Sequence, residues 1–368
     1  MPRECSAAFA PGRVNLIGEH TDYNEGLALP FAIAEGITVR AEEMPAAAPG
    51  EERVRVYARD LDERDEFSLA DPAREPAPAR TPAPAREPGW RAFARGTVFE
   101  LTSAGFPLVG ASVEISGDLP PGGGLSSSAA LEVALCLTLI DLGARAWPAA
   151  AKVVRRRDLA RLCSRVENDW VGAQTGLLDQ LASLYGEPEA ALCIDFHTLR
   201  VDPVPLRLEG WRLVLVDSGE RHVHASSGYN ERRAECADAC RLLGLPSLRR
   251  ASGDALAKLP EPLRRRARHV LDENERVRLA VAALQADDLA AIGGLLNASH
   301  RSLRDNYEVS TAAVESAVES LQRAGASGAR LVGGGFGGNV LGLFAPGVLP
   351  PAGTHEVRPA AGAHLIER

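Results

Sequence analysis

The chain has 368 residues, more than one hydrophobic core usually holds, and its 45% apolar and 24% charged residues are those of a globular protein that folds without staples. Its net charge of −8 suits it poorly to coating nucleic acid or an anionic membrane, so any phosphate site must be built locally. Its six cysteines (Cys5, Cys136, Cys163, Cys193, Cys236 and Cys240) form no CxxC pair, and several lie in apolar runs, which points to a reduced, cytoplasmic setting.

The start, Met-Pro-Arg-Glu-Cys, carries no apolar signal segment. Residues 7–18 and 27–40 read as short apolar strands flanking a polar turn, and residues 53–58 alternate in strand fashion. From Asp71 to Pro88 the chain is rich in Pro, Ala, Arg and Glu, with PAREP present twice, which predicts an inserted surface loop. Trp90 to Leu101 has helical spacing, and Ala111 to Ser116 alternates like a strand. Glycines 122–124 and a serine cluster then precede a strong helix that the glycine at 143 should end. Its apolar run, Ala129 to Leu142, contains Glu132 and Asp141 and is too short to span a bilayer. Residues 158–185 look helical, broken near Gly172 and Gly176, and Trp211 to Asp217 reads as a buried strand. Arg-rich and Ala-rich helices follow to about residue 324, and Ala329 to Phe344 reads as strand, glycine loop, strand. The mixture predicts α+β or α/β architecture, with a boundary near 200–210 where Pro203 and Pro205 interrupt.

Four segments carry chemistry. In Pro120 to Ala130, glycines let the backbone approach a ligand, and the N–H groups and dipole of the following helix favour an anion. It lacks the Gly-Lys-Ser/Thr ending of a Walker A loop, and a flexible turn with a serine cap would read the same way. In Gly12 to Asn24, Glu19, His20 and Asp22 crowd together with the fixed charge of Arg13 nearby. They suit a ring of partners for the hydroxyls of one sugar, or a polar turn with a satisfied histidine; a lone His with two carboxylates is weak evidence for a metal. Glu167 and Asp179, twelve residues apart across a glycine-broken helix, suit a division of labour between magnesium and an acceptor hydroxyl, although in isolation they read as surface charges. Finally, the glycines of Leu331 to Asn339 fit a second loop closing on phosphates, or a tight hairpin.

In this order the four segments resemble galactokinases of the GHMP kinase superfamily. Residues 12–24, GRVNLIGEHTDYN, match the galactokinase signature almost letter for letter; the loop from Gly122 to Ala130 resembles the superfamily's ATP-binding motif, and Gly333 to Gly338 its third motif. Further similarity lies at Trp90 to Gly96, Ser218 to Cys236 and Ser299 to Ser310. The resemblance implies an α+β fold of two domains, residues 1–205 like ribosomal protein S5 domain 2 and residues 206–368 ferredoxin-like, with the active site between them. It implies transfer of phosphate from ATP to the anomeric hydroxyl of galactose. Asp179 would be the catalytic base with Arg13 beside it. Glu19, His20, Asp22, Gly176 and Tyr229 would hold the sugar. Gly122, Gly123, Gly124, Leu125, Ser126, Ser127 and Ser128 would wrap ATP, with Trp90 near the adenine, and Ser128 and Glu167 would hold Mg2+. A cytoplasmic monomer is expected, with no nucleic-acid or membrane partner. The competing readings are a kinase for another sugar, such as N-acetylgalactosamine or arabinose, and a non-catalytic galactose sensor; Arg13, Asp179, Ser128, Ala129 and Ala130 argue against the sensor. The chain departs from the pattern at Val332, where a Thr is common, and at Asn339, where a Cys is common.

Overall fold

The computed structural model describes residues 3–48, 50–72, 89–119, 124–172, 174–220 and 225–367, without the side chains of 225–227. Most of the Pro-, Ala- and Arg-rich segment (73–88), and Gly122 and Gly123, lie outside the described residues.

Strands β1 (Cys5–Asn15), β2 (Leu27–Ala28), β3 (Pro30–Glu43), β4 (Arg53–Ala58) and β5 (Glu63–Ser68) come first, followed by helix α1 (Trp90–Ser103) and strand β6 (Ala111–Gly117). Helices α2 (Ser127–Ala146), α3 (Arg156–Arg165) and α4 (Leu178–Tyr185) follow, then β7 (Ala190–Asp195), β8 (Arg200–Pro205) and β9 (Arg212–Asp217). The rest comprises α5 (Ala225–Leu243), α6 (Gly253–Leu256), α7 (Leu263–Gln285), α8 (Leu289–Ser302), α9 (Ala312–Arg323), β10 (Gly328–Leu331), β11 (Asn339–Phe344), β12 (His355–Val357) and β13 (His364–Leu365).

The large sheet runs β13-β1-β3-β6-β4-β5, with β4 parallel to β6 and its other pairs antiparallel. Helix α2 lies across β1 and β3, and its Ala134, Leu135 and Leu142 share one core with Val39, Val56 and Val113 of the sheet. By length and composition α2 alone among the described residues could cross a bilayer, but 67% of its apolar window is buried within the fold, and it extends beyond the run Ala129 to Leu142 at both ends. A second sheet, β10-β11-β9-β12, is antiparallel throughout and packs against α8 and α9. The third, β2-β7-β8, touches α7, which reaches from the C-terminal helices to the N-terminal strands. The tail returns as β13 to pair with β1.

Two local readings differ from the structure, and a third, the break near Gly172 and Gly176, agrees with it. Helix α2 passes through Gly143, where a Cβ would lie 1.8 Å from the carbonyl oxygen of Pro107; the glycine admits a neighbouring chain rather than stopping the helix. Pro203 and Pro205 do not interrupt: both lie within β8, an edge strand, where a missing N–H costs no ladder bond. The break after α3 is a π-helical turn, Val166–Val171, closed by Gly172 at φ +82°.

Candidate active site

Arg13 lies near the end of β1, just after a register shift that follows Pro11. Its backbone N–H donates to the Leu125 carbonyl (3.1 Å), which ties the strand to the serine loop. Its Nε and Nη2 both meet Asp179 Oδ1, at 2.9 and 2.8 Å, and Nη1 donates to the Gly124 carbonyl at 2.5 Å. Asp179 sits in the first turn of α4. Its second oxygen, Oδ2, accepts from the Ser126 hydroxyl. Ser126 stands before α2 at φ +62° and makes no side-chain cap; its hydroxyl serves the carboxylate instead. A guanidinium, a carboxylate and the mouth of the glycine–serine loop are thus joined, although Arg13 and Asp179 are 166 residues apart.

A second carboxylate, Asp22, lies close enough for the charge of Asp179 to act on it. Burial raises its pKa to about 6, with the charges of Asp179 and Glu19 adding to the effect. A Cβ at Gly176 would lie 2.0 Å from Asp22 Oδ2, so only glycine lets that backbone approach the carboxylate. Tyr229 is held well above the usual phenol range, first by burial and then by the charge of Asp22. His20, at φ +59°, meets the Tyr23 hydroxyl through Nδ1 at 2.8 Å, and its ring packs 5.3 Å from that of Tyr229 and 4.6 Å from that of Tyr307. Burial pulls its pKa well below the ordinary value, and His269 and nearby arginines act in the same direction. Glu19 is buried, accepts from the Gly333 N–H (2.8 Å) and pairs with Arg330 at 3.0 Å.

Behind the serine loop the Ser128 hydroxyl donates to Glu167 Oε1 at 2.9 Å, while Thr175 Oγ1 and Gln180 Nε2 donate to Oε2 at 2.7 and 2.9 Å. Burial raises the Glu167 pKa, and Asp179 adds to it. Gln180 also reaches Glu132 (3.4 Å), a fully buried α2 carboxyl whose pKa burial and Glu167 push well above normal. This pocket of carboxyls is without a cationic side chain among these contacts, and its hydroxyl and carboxylate oxygens are the donors a hard divalent cation takes. The sequence reading missed Glu132 and Gln180. The available signal was a carboxylate inside an apolar helical run.

Trp90 stands apart from these groups in its contacts. Its indole N–H donates to Glu63 Oε2 (2.8 Å) at the outer strand β5, and the Arg91 guanidinium lies over its ring. The third glycine loop joins β10 to β11; Phe336 N donates to the Val309 carbonyl (2.7 Å), and a Cβ at Gly335 would lie 2.5 Å from the Val309 side chain. Val332 is a core residue whose N–H bonds the Asn339 carbonyl at 2.9 Å, so both departures from the expected letters lie at the base of the loop.

Residues 2–42 match the galactokinase galactose-binding signature, residues 92–187 the GHMP kinases N terminal domain and residues 280–358 the GHMP kinases C terminal domain. The galactokinase of Mycobacterium tuberculosis is 44% identical over 342 residues, 91% of this chain and 87% of the relative. The chain belongs to the galactokinase family. It is accordingly an ATP-dependent sugar kinase. The crystal structure of Lactococcus lactis galactokinase complexed with galactose superposes with a TM-score of 0.86 at 31% identity, covering 98% of this chain and 95% of that one. A Methanococcus jannaschii mevalonate kinase shares the fold, with a TM-score of 0.66 at 17% identity over 98% of this chain and 99% of that one. Galactokinases thus share with other GHMP kinases the two-domain frame of mixed sheets and helices seen in this chain.

Proposed function

We propose that the chain transfers the γ-phosphate of ATP to the anomeric hydroxyl of D-galactose, forming α-D-galactose 1-phosphate. The observation that carries this reading is the pairing of two unlike carboxylates: Asp179 is held by Arg13 at the mouth of the serine loop, while half-buried Asp22 has its pKa raised by desolvation to about 6. A desolvated carboxylate is suited to accept hydrogen bonds from adjacent hydroxyls. One held by a guanidinium beside a phosphate loop is suited to the reacting hydroxyl.

In this reading Asp22, Glu19, His20, Tyr229 and the Gly176 backbone hold the sugar. Asp179 accepts the hydrogen bond of the anomeric hydroxyl and takes its proton as the O–P bond forms and the bond to ADP breaks. Arg13 anchors that carboxylate and faces charge on the phosphoryl group in flight. Residues 122–128 wrap the ATP phosphates, and Trp90 borders the adenine. Ser128 and Glu167 would hold Mg2+, whose charge neutralises the phosphate oxygens. Holding the two substrates in register supplies about 7–11 kcal/mol of the barrier reduction, and a general base adds about 10² to 10⁴ in rate. Residues 1–205, joined by the returning strand β13, form the domain with the signature and ATP loop, and the rest of residues 206–368 the domain with the third glycine loop. The six free cysteines fit a reducing cytoplasm, where the chain acts as a monomer.

A coupled ADP-release assay with Mg2+-ATP tests this against galactose, 2-deoxygalactose, N-acetylgalactosamine, arabinose, glucose and mevalonate. Turnover is expected to be strongest on galactose and slight on glucose; strongest turnover on another substrate would move the specificity. Asp179→Ala should abolish turnover and leave ATP binding nearly intact. Wild-type turnover in that variant would refute the role of Asp179.

A further inference from the structure

We propose that Arg330, which the sequence reading did not single out, is a positioning residue for sugar recognition that presets the carboxylate of Glu19. Arg330 lies on β10, paired with Leu341 of β11, and is fully buried. Its Nη1 donates to the carbonyl oxygens of Asn15 (3.1 Å) and Leu16 (2.8 Å), where β1 runs into the sugar signature. Its Nη2 faces Glu19 Oε1 at 3.0 Å. The same oxygen accepts from the N–H of Gly333, the first glycine of the third loop. One carboxylate oxygen is therefore committed to a guanidinium and a loop amide. The guanidinium is itself braced by two carbonyls 314 and 315 residues away in the chain.

This arrangement fixes the plane of the Glu19 carboxylate before any sugar arrives and leaves Oε2, uncommitted among the described residues, to accept from a hydroxyl. A buried charge that has lost its partner is strongly disfavoured, so the pair holds itself together. A planar fork also braces a carboxylate and two carbonyls in a way a point charge does not. Arg330 acts through Glu19, and the proposal rests on the reading that Glu19 binds a galactose hydroxyl.

The test compares kcat/KM for galactose with that for each of its 2-, 3-, 4- and 6-deoxy analogues, in the wild type and in Glu19→Gln, Arg330→Met and Arg330→Lys variants. The wild type should prefer galactose over the analogue lacking the Glu19-bound hydroxyl by about tenfold to a hundredfold, the value of a hydrogen bond to a charged group. Glu19→Gln should shrink that one ratio. Arg330→Met should shrink the same ratio and leave the others, and the KM for ATP, unchanged; Arg330→Lys should fall between. An Arg330→Met variant that loses the same factor on galactose and on every analogue overturns the proposal, because a merely structural residue would act that way. Should Arg330→Met not fold, Arg330→Lys and the double variant Glu19→Gln/Arg330→Met, checked by thermal unfolding, carry the comparison, and wild-type discrimination in either overturns it. If Glu19→Gln leaves every ratio intact, the reading of Glu19 itself fails, separately from that of Arg330, and the proposal falls with it.

Discussion

Lowering the pH from 7 to 5 should weaken galactose binding about tenfold through Asp22. Burial, reinforced by Asp179 and Glu19, holds its pKa at about 6. If the sugar binds only the ionised form, the apparent Kd scales with the inverse of the ionised fraction, about 0.9 at pH 7 and about 0.1 at pH 5. Hydroxyl donors favour the ionised carboxylate, so sugar binding near pH 6 should release protons. The sign for stability is the opposite. The folded state of the free protein holds this proton above the ordinary value of 3.8. Raising the pH from about 4 to about 6 therefore destabilises the unliganded fold, by up to about 3 kcal/mol for a shift of about two units. Burial pulls His20 well below 6.5, so lowering the pH charges it later than an exposed imidazole. The assay is calorimetric titration of galactose without ATP, between about pH 5 and 7.5, in two buffers of different ionisation heat. An affinity flat across that range, with heats independent of buffer, would refute the reasoning. Asp22→Asn should bind weakly at every pH and release no proton.

Two further outcomes are expected. Gly176→Ala would drive a methyl into the Asp22 carboxylate, which would sit 2.0 Å away; the KM for galactose should rise about tenfold to a hundredfold with the KM for ATP unchanged, and an unaltered galactose KM would contradict the close approach. Glu167→Ala should shift the Mg2+ concentration for half-maximal rate upward, and an unchanged magnesium titration would remove Glu167 from the cation site.

Much of this site is legible in the sequence because its parts are local. Residues 12–24 hold Arg13, Glu19, His20 and Asp22 in one short segment, and glycines around serines before an apolar helix announce an anion loop. Strand and helix patterning placed β4, β6, β9, α1 and the β10–β11 pair close to where they lie: β4, β6 and α1 each bury one face, β9 buries a continuous apolar run, and β10 and β11 are buried throughout. Proline and glycine misled where their role depends on neighbours: Pro203 is harmless on an edge strand, and Gly143 admits the backbone at Pro107.

Read alone, Glu167 and Asp179 are two acidic residues in a polar helix. Only the assembled fold buries Glu167 under Ser128, Thr175 and Gln180 and sets Asp179 between Arg13 and Ser126. Arg330 and Glu132 carried no motif, and their significance comes from burial and from partners remote in sequence. By itself the sequence determined the family, the strand and helix alternation and the local chemistry of each loop, because spacing and side-chain type are properties of short segments. The tertiary structure alone decided which charges lose water and which are paired, because desolvation and ion pairing depend on groups brought together from across the chain.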